Sequence, residues 1–123
     1  MKAAVALGLF CTALPAQAAN LTCSFTELCT GTDACAPPDT DATLTLATDA
    51  TGMDVTMDGD TFRMALAGPA DKYPVTYFDD EDDTQGGGMM MSLFADGGIA
   101  MTIHADILGP FTATAFGTCE AAE

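Results

Sequence analysis

The stretch Met53-Asp54-Val55-Thr56-Met57-Asp58-Gly59-Asp60-Thr61-Phe62-Arg63-Met64-Ala65-Leu66 decides the fold class. Met53, Val55 and Met57 alternate with Asp54, Thr56 and Asp58, so one face is apolar and the other polar, as a half-buried β-strand requires. Phe62, Met64 and Leu66 repeat the alternation on the far side of Asp58-Gly59. An Asp-Gly pair between two such runs marks a β-hairpin, because both residues tolerate the positive φ of the tight turn.

The same periodicity of two extends outward in both directions. Leu21 to Cys29 alternates loosely, and residues 42–48 place Leu44 and Leu46 on one side with Thr43, Thr45 and Ala47 on the other. Pro74 to Asp79 reads as a short strand begun by Pro74, which has no N–H to give to a ladder. Met89 to Ala95 and Ile99 to Asp106 flank Asp96-Gly97-Gly98, a second hairpin signal, and Gly109-Pro110 turns into Phe111 to Thr118. Cys29 to Asp41 and Asp79 to Gly88 lack periodicity and read as long loops, the latter ending in the flexible joint Gly86-Gly87-Gly88. No amphipathic helix emerges. The expectation is an all-β chain of about seven or eight short strands, mostly in meander order, forming a small antiparallel sandwich or barrel.

Upstream of the strands, Lys2, the apolar run Ala3 to Leu14, Pro15 and Ala16-Gln17-Ala18 follow the order of a secretory signal. The apolar run is shorter than the roughly 20 residues that cross a bilayer as a helix. Phe10 stands where a lipoprotein signal before Cys11 needs a small residue. The reading is therefore a signal peptide at 1–18, cleaved after Ala18 to leave no membrane anchor, followed by a single β domain at 19–123 that is periplasmic or secreted.

Beyond residue 18 only Arg63 and Lys72 stand as fixed cations against 18 carboxylates, giving a net charge of −16. Such a field repels nucleic acid and anionic lipid and favours a cationic protein or a divalent cation as partner. The same charge also serves plain solubility.

Four cysteines remain in this part, Cys23, Cys29, Cys35 and Cys119, an even number that suits two disulfides in an oxidising compartment. Three pairings exist. Cys29 with Cys35 closes a local loop through Gly31 and Asp33, leaving Cys23 and Cys119 to join the first strand to the last. The five-residue gaps do not match the C-x2-4-C spacing of a zinc pair.

Candidate chemistry is sparse. Asp79, Asp80, Glu81, Asp82 and Asp83 supply the oxygen ligands a calcium ion prefers, but without an EF-hand spacing they read first as a solvated, self-repelling loop. Asp58 and Asp60 around Gly59 read as turn chemistry. Methionines could take Cu(I), yet Met101 and His104 are separated by an odd number along one strand and face opposite ways, while Met53, Met57 and Met64 fall on the core face. His104 shares a face with Thr102 and Asp106, an arrangement that suits a weak acid and base pair but more often marks a solvated histidine. Ser24 and Ser92, the only serines, both lie inside strands, which argues against a hydrolytic triad. Paired carboxylates could serve a hydrolase, though nothing selects one pair. No catalytic residue and no cofactor is expected, and the leading reading is a non-enzymatic binding or accessory module, with metal binding as the alternative.

Cys23-Ser24-Phe25-Thr26-Glu27-Leu28-Cys29 with Cys35 six residues on, together with Phe94-Ala95-Asp96-Gly97-Gly98, His104 and Gly117-Thr118-Cys119-Glu120, resembles small uncharacterised exported proteins of Gram-negative bacteria. That resemblance implies export and disulfides, and carries no activity. In outline the chain is also similar to the periplasmic inhibitors of C-type lysozyme, small barrels with one cysteine in the first strand and another near the end. Their serine-glycine-x-arginine-tyrosine segment is absent here, so the likeness implies shape and carries no functional residue.

Overall fold

A computed structural model of the chain describes residues 19–39, 42–79, 88–106 and 109–122. The expected signal at 1–18 lies outside them. Eight strands follow one another: β1 Ala19–Thr30, β2 Thr43–Thr48, β3 Gly52–Met57, β4 Asp60–Leu66, β5 Val75–Asp79, β6 Gly88–Leu93, β7 Gly98–Asp106 and β8 Pro110–Ala121. Each pairs antiparallel with the next, and β8 returns to pair with β1, so the meander closes into a barrel. Closure leaves no exposed sheet edge to recruit another strand.

The quoted stretch is β3, a turn and β4. Met57 pairs with Asp60 across Asp58 (φ 54°) and Gly59 (φ 85°), the two positive φ values of a type I′ hairpin. The second expected hairpin uses a three-residue loop. Gly97 (φ 94°) donates its N–H to the Phe94 carbonyl at 3.0 Å, and the Phe94 N–H donates to the Gly98 carbonyl at 2.9 Å. Gly97 thereby makes the bulge that such loops need.

The inward half of the alternation fills the barrel. Leu21, Cys23, Leu44, Leu46, Met53, Val55, Met64, Tyr77, Met91 and Ile99 are all at most 3 % exposed. Register places Met53 opposite Met64, Tyr77 opposite Met91, and Met91 opposite Met101, so unbranched thioethers fill the space between strands. An eight-stranded barrel is just wide enough for its side chains to fill it. On β2 to β4 the outward half carries Thr43, Thr45, Asp54, Thr61 and Arg63.

Two strands exceed the expected spans. β1 and β8 run 12 residues each and form the closing seam, whose register shifts between Phe25 and Glu27. This bulge stops the buried-exposed alternation after Phe25, and so hides the continuation of β1 from a pattern of period two. Gly117 sits opposite Phe25 at the shift; a Cβ there would overlap the Ser24 carbonyl oxygen and lie 2.7 Å from the Phe25 Cα. Pro74 falls one residue before β5, Pro110 becomes the first residue of β8, and Gly88 belongs to β6 rather than to the preceding loop.

The connection after β1 is pinned by local contacts in spite of its aperiodic sequence. Leu28 and Ala36 exchange backbone hydrogen bonds of 2.8 and 3.0 Å, and the Cys29–Cys35 disulfide closes the same turn. The Cys23–Cys119 disulfide joins two residues that are register partners across the β1–β8 seam.

Candidate functional site: an acidic rim and an apolar groove

The meander sorts the connections onto two rims. One rim gathers the β1–β2, β3–β4, β5–β6 and β7–β8 connections, and the other gathers β2–β3, β4–β5, β6–β7 and both strand termini. On the first rim stand Asp33, Asp39, Asp58, Asp60, Asp79 and Asp106, with no lysine or arginine among the described residues there. Of the acidic run, Asp79 ends β5, while Asp80, Glu81, Asp82 and Asp83 lie outside the described residues.

Both fixed cations among the described residues belong to the opposite half. Lys72 lies in the β4–β5 connection. Arg63, outward on β4, donates through Nη1 and Nη2 to the two carboxylate oxygens of Asp49 at 2.9 and 2.8 Å, to Asp54 at 3.2 Å and to the Thr51 hydroxyl at 2.8 Å. Asp49 Oδ1 also accepts the N–H groups of Thr51 and Gly52 at 2.9 and 3.0 Å, which folds the β2–β3 turn around the carboxylate. The Arg63 guanidinium, followed by the Thr51 N–H, holds the Asp49 carboxyl well below the usual carboxylate range. Asp49, and in turn Asp54, hold the guanidinium in its charged form. Arg63 is thus committed to an intramolecular fork, a role that strand alternation does not reveal because Asp49 lies outside any strand; the Asp-x-Thr-Gly order of the turn was the available signal.

Beside the acidic rim, the outer wall carries a groove of about 500 Å³. Its floor is a lateral row in which Phe78 on β5 is the register partner of Met90 on β6, and Met90 of Thr102 on β7. Phe78 is 41 % and Met90 52 % exposed. Gly88, opposite His104, forms the next row toward the rim, and Asp79 closes that end. Gly88 faces open space on this side: a Cβ there would meet nothing within 4 Å.

A smaller cavity of about 200 Å³ opens at the same rim between Phe25, Leu44, Met57 and Met101, with Asp58 at its lip. It is continuous with the core side chains, and Leu28 on β1 and Pro38 from the β1–β2 connection line it.

The other expected residues fall as follows. Cys23 pairs with Cys119 and Cys29 with Cys35. Met53 and Met64 are buried and Met57 packs against the core. Met101 is buried while His104 is exposed, on opposite faces of β7. His104 and Thr102 both line the groove; the Asp106 side chain lies outside the described residues. Ser92 bonds to Thr76 across the β5–β6 pair at 2.9 Å, and Ser24 is exposed on β1. Among the described residues no three histidine, cysteine, aspartate or glutamate side chains converge on a point that could hold a metal ion.

No protein-family model, no curated protein and no solved structure matches the chain. The site is therefore read from its own geometry. An exposed apolar row beside a one-signed rim is suited to contact with another molecule.

Proposed function

We propose that this is an exported, periplasmic or secreted, non-enzymatic β-barrel that binds a cationic protein through its acidic rim. The observation that carries the reading is the sorting of charge. Arg63 and Lys72 lie in one half of the barrel, whereas the carboxylates of the other rim have no fixed cation among the described residues on that rim. One-signed fields of this kind raise the encounter rate of an oppositely charged partner and give little to an anionic one. The two disulfides support a location outside the reducing cytoplasm.

The test is capture of basic exported proteins, with lysozyme as the first probe, across a salt series. Retention is expected at about 0.01 M salt, where the Debye length is about 30 Å, and loss is expected toward 1 M, where it is about 3 Å. Absence of retention even at the lowest salt overturns the proposal. Asp58→Asn combined with Asp60→Asn should weaken retention, whereas Asp71→Asn, on the opposite rim, should weaken it less.

A further inference from the structure

The groove formed by Phe78, Met90, Thr102 and Gly88 carries an inference that rests on the binding reading and goes beyond it. We infer that this groove is the anchoring site for a bulky apolar side chain, leucine or phenylalanine, presented between lysines or arginines on the cationic partner.

Two observations select that occupant. Phe78 and Met90 are directly opposed on neighbouring strands and both remain more than two-fifths exposed, so the row places apolar surface in water where threonine and serine occupy comparable outward positions. Burying one large apolar side chain in such a row is favourable, and anchors of this kind dominate protein interfaces. Gly88 leaves the space for it, since the position opposite His104 is empty of side chain.

The flanking charge decides what the anchor is attached to. The groove runs from the Phe78–Met90 row to Asp79 at the acidic rim. A second copy of this chain would bring a like net charge, −16 beyond residue 18, and is repelled. An anionic lipid surface is disfavoured for the same reason. A basic segment gains from both features at once, its cations over the rim and its apolar residue in the groove. A volume of about 500 Å³ accommodates that residue with its neighbours in the segment.

The experiment uses the folded, disulfide-bonded protein and two synthetic peptides of equal lysine content, one with phenylalanine and one with alanine at the central position, titrated at low and at near-physiological salt. The phenylalanine peptide is expected to bind roughly tenfold to a hundredfold more tightly, the advantage persisting as salt rises. Gly88→Leu, which fills the groove from a position with free space around its Cβ, should remove that advantage and leave the alanine peptide's affinity unchanged. Phe78→Thr with Met90→Thr should do the same. Equal affinity for the two peptides, or an advantage that survives Gly88→Leu, overturns the groove while leaving the acidic rim standing. Failure of both peptides to bind at low salt overturns the rim and the groove together.

Discussion

Removing the Cys23–Cys119 bond should cost about twice what removing Cys29–Cys35 costs, and the difference should arise in the unfolded chain. The first bond spans a sequence separation of 96 and the second a separation of 6. In the chain-entropy treatment a crosslink of the first span stabilises by ~4.7 kcal/mol and one of the second by ~2.4 kcal/mol. Cys23 is fully buried, so its replacement by alanine adds a packing loss of ~1 kcal/mol that the exposed Cys35 does not incur. The native barrel should survive either change, because the β1–β8 seam is held along nine register pairs from Leu21–Ala121 to Thr30–Ala113. Guanidinium unfolding of Cys23→Ala/Cys119→Ala and Cys29→Ala/Cys35→Ala, each with the other bond intact, measures both terms. The first variant should lose more stability and show the steeper dependence on denaturant, since its unfolded state exposes more surface. With whole-domain stabilities of roughly 5–15 kcal/mol, that loss is large enough to leave the first variant marginal. Equal losses in the two variants, or a greater loss on opening the short loop, would refute the reasoning.

Other consequences are smaller and equally specific. Asp49 has a folded-state pKa below its unfolded value of about 3.8, so the Arg63 fork contributes fully above that value and is lost as pH falls through the lower folded one. Thermal unfolding below about pH 4 should therefore separate wild type from Asp49→Asn less and less, with the variant the flatter of the two. Gly117→Ala should destabilise by ~1–3 kcal/mol in denaturant melts, because the new methyl meets the Ser24 and Phe25 backbone rather than a side chain that can move. Tyr77 is 2 % exposed and its hydroxyl pKa is raised, first by burial and then by Tyr73 and Asp49. The unfolded chain therefore loses this proton first as pH climbs past about 10, and the native state is penalised there. In a Tyr73→Phe background, the tyrosinate absorbance of Tyr77 should rise above that pH, together with the loss of β-sheet signal.

How much of this was legible beforehand depends on how locally each feature is encoded. Hairpins at Asp58-Gly59 and Asp96-Gly97 follow from turn chemistry within four or five residues, and the inward positions of Met53, Val55 and Met64 follow from a period of two. Barrel closure is different, since pairing β8 with β1 joins residues nearly a hundred positions apart, and the seam interrupts its own periodicity at the Phe25–Glu27 shift. Cys23 and Cys119 were the sequence's one trace of that pairing. The groove was less legible still. It depends on which outward residues become lateral neighbours, and Phe78, Met90 and Thr102 become so only once the registers of β5, β6 and β7 are fixed.

The arrangement of charge also bears on why this barrel uses two disulfides. Carboxylates brought together on one rim repel one another in the folded state and separate on unfolding, so the acidic rim works against the native fold, most strongly at low salt. A crosslink acts on the other side of the equilibrium, by restricting the unfolded chain, and is nearly insensitive to salt. The Cys23–Cys119 bond lies at the far end of the seam from the acidic rim, beside the Leu21–Ala121 pair, so it holds the barrel closed without occupying the rim. The short Cys29–Cys35 bond instead fixes the connection that carries Asp33 on the acidic rim itself. Raising salt should accordingly stabilise the protein while weakening the proposed contact with a basic partner, opposite responses that arise from the same carboxylates.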